Sequence, residues 1–481
     1  MNVHSDRQLP TSFSRLPLSP YATALRILYA LDMGIQDKSD DALNSFFEGN
    51  AVSKQGEGLA RMLVNESLRW RVTLIAHIKT LTKKRYKDIA APLRQLLLLG
   101  LCSVLHPDER AKDRGHAHVN AWVEVAKSLK LTNGQQGLLN ACLRKAEGLP
   151  ALGDAPENAK GSLNELSQQY GWPLWAVEEL KKHLGAQAQR IKTKGDLSTT
   201  VEMTDWLKAS HQHRGLGVMH VPSLNPESTP ELNETLTQLK NSGLTLTQPY
   251  PDTPAYFYCE NGISGGPATL PDFEKGAWYV QDYGSAWVAL EAARHLDGHE
   301  CPVVVDLCAA PGSKSWILSK ALPAGGELHA VDVSSKRLEL LHENIERLNL
   351  NKDQIHVHTS DALEWVLPND QLADLVLVDA PCSALGTLRH HADLWLHRNP
   401  ESMKQYPTLQ KKMLSHATTL VKPDGTLVYS TCTWWPAENE RVIQAFLQVH
   451  PDWECIEQKH LPLTPQHDAF FLAVLKPSLN P

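Results

Sequence analysis

The sequence predicts a multidomain protein: an all-α N-terminal domain, a small α+β middle region and a C-terminal α/β domain on a parallel sheet. Three observations carry this. The 481-residue chain is too long for one ordinary domain. Up to about residue 150, apolar residues recur at spacings of three and four, the period of amphipathic helices. From about Trp278, short apolar runs alternate with amphipathic stretches, which implies parallel strands covered by helices on both faces.

In the first region (1–150) the helical period is plain in YATALRILYALDMG, GLARMLVNESLRWRVTLIAHI and HVNAWVEVAKSLK. The most apolar run, LRQLLLLGLCSVL (Leu93–Leu105), is shorter than the roughly 20 residues of a bilayer span and reads as a buried helix. This region holds 21 Lys and Arg against 14 Asp and Glu, a surplus of 7, although the whole chain carries −7. Lys79, Lys83, Lys84, Arg85, Lys87 and Arg94 crowd into Ile78–Arg94. Such a cluster can contact phosphates or form a solvated helix face, and charge alone leaves both readings open.

Leu149–Ser162, rich in Pro, Gly, Ala and Asp, reads as a linker. It opens the middle region (151–275), where SLNELSQQYGWPLWAVEELKKHLG is helical and VPSLNPESTPELNETLTQLKNSG is irregular, with three prolines. No internal repeat or low-complexity tract appears. The N-terminus MNVHSDRQLPTSF lacks the pattern of a secretory signal. The eight cysteines include no CxxC pair, which argues for a reducing, cytoplasmic setting and against a disulfide framework or zinc ribbon. The expectation is a monomer with no resident metal and no membrane association.

In the last region (276–481) the expected strands are PVVVDLC (302–308), ELHAVDV (327–333), QIHVHTSD (354–361), DLVLVDA (374–380) and GTLVYSTC (425–432). Between the second and third, SSKRLELLHENIERLNL places Leu338, Leu341, Ile345 and Leu348 on one helix face behind a Ser334 or Ser335 cap. Ligands of such sheets bind beyond the carboxyl ends of the strands. There the sequence puts Asp306–Cys308, Asp332, Asp361, Asp379 with Cys382, and Cys432. Five reactive or charged ends in series point to a site.

DLCAAPGSK (Asp306–Lys314) runs from a strand into a helix. Ala309, Ala310 and Gly312 let the backbone approach a ligand, Pro311 stiffens the turn, and Asp332 lies about 20 residues on, where a carboxylate can accept ribose hydroxyls. The loop lacks GxGxxG, and Lys314 has no Walker A context. An adenosine cofactor without pyrophosphate suits it, and S-adenosylmethionine fits. The competing reading is a plain strand–helix turn.

VQDYGSAW, DLCAAPGSK, VDAPCSALGTLRHHADLW, STCTWWPAENE and HDAFFLAVL together resemble the RNA cytosine-5 methyltransferases, in particular the bacterial 16S rRNA enzymes of the RsmB (Sun/Fmu) type. That resemblance spans roughly residues 276–476. LRILYALDMG, LVNESLRWRVTLIAHI, LRQLLLLGLCSVL, HVNAWVEVAK and LLNACLRKAE are similar to a NusB-like RNA-binding domain. The implied fold is Rossmann-like, the implied cofactor is S-adenosylmethionine and the implied partner is RNA, foremost 16S rRNA.

Carbon 5 of cytosine attacks a methyl sulfonium only after a thiolate has added to carbon 6, so the chemistry needs a nucleophilic cysteine and a group that helps release it. The resemblance implies Cys432 as nucleophile and Cys382 as the releasing partner. It also implies Asp379 on the base, and Lys314 near the base or the cofactor carboxylate. For the cofactor it implies the loop Cys308, Ala309, Ala310, Pro311, Gly312, Ser313 and Lys314, with Asp332, Arg337, Asp361 and Asp379. Lys83, Lys84, Arg85 and Arg389 are the expected RNA contacts. The chain departs from the family pattern at PGSKS, RHHAD and HDAFF, and in Trp434–Trp435 after the nucleophile. Those tryptophans either stack on RNA or pack the next helix. The rival readings are an RNA-binding assembly factor without activity and a methyltransferase acting on protein or a small molecule. Neither has use for two rim thiols.

Overall fold

The computed structural model of the chain describes residues 9–106, 115–154, 161–194, 202–212, 215–222, 230–241 and 243–478. They form two compact units, Met1–Lys182 with His391–Asn399, and His183–His390 with Pro400–Pro481.

The first unit is helical. Its helices include Pro20–Asp32, Ser39–Glu48, Lys54–Arg69, Arg71–Thr82, Leu93–Leu105, Gly115–Ser128 and Asn133–Ala146. Ser19 and Ser53 cap two N-termini by accepting from the amides of Ala22 and Gly56. Thr132 and Ser162 form reciprocal capping boxes with Gln135 and Glu165, so otherwise orphaned amides are satisfied. The run around LRWRV breaks at Trp70, whose indole N–H donates to Glu66 at 3.2 Å. As expected, Leu93–Leu105 is a buried helix: Leu96, Leu97, Leu98 and Leu99 are all 0% exposed. Each contributes roughly 1.5–3 kcal/mol by leaving water. Among the described residues no helix is long and apolar enough to cross a membrane.

The segment His391–Asn399 belongs to this helical unit. Ala392 lies in its core, the Asp393 carboxylate accepts from the Ser39 amide at 2.9 Å, and Trp395 packs on Trp172 and Trp175. The ADLW part (Ala392–Trp395) of LRHHADLW is thus built into helix packing.

The second unit contains two sheets. A small antiparallel one has the order β2-β1-β3, from β1 (Leu216–His220), β2 (Tyr256–Cys259) and β3 (Trp278–Val280). Strands of three to five residues leave too little alternation to read from sequence, which is why this part looked irregular. The large sheet has seven strands in the order β6-β5-β4-β7-β8-β10-β9. Its members are β4 (Val303–Leu307), β5 (Glu327–Asp332), β6 (Ile355–Thr359), β7 (Ala373–Asp379), β8 (Val421–Thr431), β9 (Trp453–Leu461) and β10 (Phe470–Pro477). β4 to β8 are parallel, and β10 runs antiparallel between β8 and β9. All five expected strands are present, and their order makes the fold Rossmann-like, with the reversal at β4. The helix Ser335–Arg347 is capped by Ser334, and Leu338, Leu341, Ile345 and Leu348 are buried as its pattern predicts.

Candidate functional site

β7 and β8 are neighbours in parallel register, with Asp379 opposite Ser430. Their ends therefore deliver Cys382 and Cys432 side by side, Sγ to Sγ at 3.2 Å. The bond from Cys432, then the loss of surrounding water, push the Cys382 thiol well above its ordinary range. Cys382 therefore keeps its proton. Asp379 accepts from Lys314 Nζ at 2.6 Å and from Ser430 Oγ at 2.7 Å. Lys314 is 6% exposed. Burial works against its charge, but the Asp379 and Asp306 carboxylates more than offset this and hold the ammonium above its usual range. Two thiols, a carboxylate and a fixed cation thus share one end of the sheet.

The residues that lock this arrangement went unassigned in the sequence. Glu438 and Asn439 are both 0% exposed. The Glu438 carboxylate accepts from the Ser383 amide at 2.8 Å and from Gln410 Nε2 at 3.0 Å. Asn439 accepts from Thr431 Oγ1 at 2.6 Å and donates to the Thr433 carbonyl at 2.9 Å. Together they tie both cysteine loops to one helix start. The available signal was an acidic, polar PAENE run immediately after the cysteine. A buried carboxylate there had to have partners.

Gly386 completes the lock. Its amide donates to the Cys432 carbonyl at 2.9 Å, and its carbonyl accepts from the Ala469 amide at 3.1 Å. A Cβ at this position would lie 2.1 Å from the Ala469 carbonyl oxygen and 2.8 Å from that of Cys432. Both obstacles are backbone, so Gly386→Ala must move the Cys432 loop. We expect a fall in kcat of about 100-fold, as for a misplacement near 1 Å, measured by single-turnover methyl transfer. The thermal midpoint should fall as well, because neither backbone oxygen can yield cheaply, so kcat is compared at a temperature where both proteins are fully folded.

At the other strand ends, Asp332 is 1% exposed and accepts from the amides of Ala310 (3.2 Å) and Ser334 (2.9 Å) and from Arg337 (2.6 Å). Gly312 has φ +100°, and a Cβ there would meet Leu341 at 2.4 Å, so the turn requires glycine. Ala309 and Ala310 are buried, the Ala310–Pro311 peptide is cis, and the Ser313 carbonyl accepts from Gln281 at 2.8 Å. Asp306 accepts from Ser315 at 2.6 Å, and burial raises its carboxyl to about 7. Burial pushes the Cys308 thiol up. Asp361 is exposed and accepts from the Leu363 amide. Asp332, Asp361 and Asp379 around a close-approach backbone suit a cationic, ribose-bearing cofactor, and so fit S-adenosylmethionine.

Arg389 corrects an expectation. It is 2% exposed, and its guanidinium donates to Asp468 (3.1 Å), Asp282 (2.9 Å) and the Pro465 carbonyl (2.5 Å). A buried guanidinium so engaged clamps VQDYG to the HDAF turn and offers no edge to RNA phosphate. Trp434 is 2% exposed and packs against Trp206 and His183, so it is a packing residue. Lys83, Lys84 and Arg85 are exposed, after the helix Arg71–Thr82 of the first unit, and Arg85 pairs with Asp88 at 2.6 Å.

Comparison with known proteins adds the following. The family model for 16S rRNA methyltransferase RsmB/F matches residues 293–476, and that of the NusB family matches 20–148. The chain is 29% identical to a probable ribosomal RNA small subunit methyltransferase B of Synechocystis, over 95% of this chain and 99% of the relative. It is 30% identical to the ribosomal RNA small subunit methyltransferase B of Erwinia tasmaniensis, over 78% of this chain and 79% of the relative. Among solved structures, PH0851 shares the fold with TM-score 0.68 at 22% identity, over 96% of this chain and 99% of that one.

Proposed function

The chain belongs to the 16S rRNA methyltransferase RsmB/F family, and from that premise we propose that it methylates carbon 5 of a cytosine in small-subunit ribosomal RNA through a covalent bond from Cys432. S-adenosylmethionine, held by the Cys308–Lys314 loop with Asp332, Arg337 and Asp361, supplies the methyl group. The observation that carries the reading is the pair of thiols 3.2 Å apart beside the Lys314–Asp379 ion pair.

In this mechanism Cys432 Sγ adds, as thiolate, to carbon 6 of the base and makes carbon 5 nucleophilic. Asp379 accepts from the cytosine amino group and so orients the base toward Cys432. Lys314 holds Asp379 in place and stabilises negative charge on the neighbouring sulfur. After methylation, solvent water takes the carbon 5 proton, the carbon–hydrogen electron pair re-forms the 5,6 double bond, and the Cys432 sulfur leaves with the carbon 6–sulfur pair. Cys382, which keeps its proton beside that sulfur, supplies the hydrogen bond that eases its departure. The target base must be turned out of any stack to reach Cys432, which favours a single-stranded or loop cytosine. Such a substrate places the activity in the cytoplasm.

The test is bisulfite sequencing of small-subunit rRNA from a strain lacking the gene, complemented with wild type or Cys432→Ser. One cytosine should lose protection in the deletion and regain it only with wild type. No changed cytosine, with no methyl transfer to rRNA by the purified chain, would instead leave an RNA-binding assembly factor.

A further inference from the structure

We propose that Glu327, His329 and His356 form a binding site for a divalent transition-metal ion on the β5–β6 edge of the large sheet. Glu327 and His329 are two residues apart on β5 and so project from one face. His356 on β6 is the direct register partner of His329. The facing atoms lie within 4.8 Å of one another. Glu327 Oε2 is 3.5 Å from His356 Nε2 and 3.9 Å from His329 Nε2. Ligands on a tetrahedral zinc-type ion, with bonds near 2.0–2.1 Å, are about 3.3 Å apart. The two glutamate–imidazole separations therefore need to close by about 0.2 and 0.6 Å, and the two imidazole nitrogens, within 4.8 Å of each other, by at most about 1.5 Å.

Two further observations point inward to the same spot. His329 is 4% exposed, and its Nε2 has no hydrogen-bond partner among the described residues. Its other ring nitrogen, Nδ1, is 3.0 Å from His358 Nε2. If Nδ1 carries the proton and donates to His358, Nε2 keeps its lone pair toward Glu327. The opposite tautomer would bury an N–H without a good acceptor. Glu327 is held in the same way: its Oε1 accepts from Gln371 Nε2 at 2.9 Å, which leaves Oε2 for the cluster. Metal-binding side chains are ordinarily oriented by such outer hydrogen bonds. Trp365 packs over the His329 and His358 rings, while the His356 and Glu327 side chains are 42% and 31% exposed, so an ion can enter from solvent and keep a water ligand.

Two imidazoles and one carboxylate, with no thiolate, suit a borderline divalent ion such as zinc or cobalt over calcium or magnesium. Bound there, the ion would cross-link the edge strand β6 to β5, whose far end carries Asp332.

The test titrates chelator-stripped full-length protein, under reducing conditions, with Co2+ and then displaces it with Zn2+. One Co2+ should bind with a visible d–d spectrum and no thiolate-to-cobalt charge-transfer band. Affinity should fall at least about tenfold in His356→Ala and in Glu327→Gln, and about tenfold in His358→Phe, which loses the orienting contact. At one hundred times the wild-type Kd, Zn2+ should raise the wild-type thermal midpoint by roughly 5 °C and that of His356→Ala by no more than about half as much. Matching midpoints of both proteins in chelator establish that the variant folds. No d–d spectrum at millimolar Co2+, a charge-transfer band that places the ion on cysteine, or binding unaltered in both ligand variants would overturn the assignment.

Discussion

Cys432→Ala is expected to reduce methylation by about 10⁴-fold or more and to form no covalent RNA complex, whereas Cys382→Ala should trap the protein on its RNA. The two thiols start from similar places, each just beyond the end of a parallel strand, with sulfurs 3.2 Å apart. Their surroundings separate them. Cys382 follows Asp379 and Pro381 on the loop fixed by Glu438, and Cys432 stands at the strand end beside Lys314 and Asp379, so we assign attack to Cys432 and the proton-holding role to Cys382. Removing the attacking sulfur stops the sequence before any bond to carbon 6. Removing the proton holder leaves attack intact and slows release by about 10² to 10⁴. A denaturing gel of each variant with rRNA and S-adenosylmethionine reads this directly. A retarded band for Cys382→Ala alone supports the assignment, and a band for Cys432→Ala alone exchanges the two roles.

Arg389→Met should cost about 3–5 kcal/mol of stability, because it strips the cation from the buried Asp468 carboxylate and the partly buried Asp282. Asp282 and Asp468 already sit above the usual carboxylate range, at about 7 and about 6, chiefly through burial and despite Arg389. A carboxyl whose folded value exceeds its unfolded one binds protons preferentially in the native state, so its contribution to stability falls as pH rises from about 4 toward 7. Without Arg389 both values climb further and that fall steepens. The deficit of Arg389→Met relative to wild type should therefore be larger at pH 8 than at pH 5, as read by urea unfolding at both. Equal deficits at the two pH values would mean that Arg389 acts through packing alone. Activity should fall with stability, because Gly386 and Ala469, beside the clamp, also position Cys432.

The large sheet was legible because its strands are near-continuous apolar runs ending in Asp or Cys, separated by a helix as regular as Ser335–Arg347. The small sheet was not, since strands as short as Trp278–Val280 carry no period of their own and form only by pairing with β1. Arg389 illustrates the limit for charged side chains. A basic residue in a motif reads as a phosphate contact until burial and the two carboxylates that neutralise it are seen, and those lie 107 and 79 residues away in sequence. Trp434 likewise resolved only through its neighbours Trp206 and His183.

By itself, the sequence determined the helical N-terminal region, the order of the parallel strands along the chain and which residues stand at their carboxyl ends. Hydrophobic period and strand length are local properties, and the rule that ligands bind beyond those ends needs no coordinates. Only the tertiary structure decided that Cys382 and Cys432 touch and that Glu438, Asn439 and Gly386 hold them so. It also placed Arg389 inside the protein and His329 and His356 opposite one another. Each of these depends on strand register and on burial. Both are set by the packing of distant segments, and that information is spread over the whole chain.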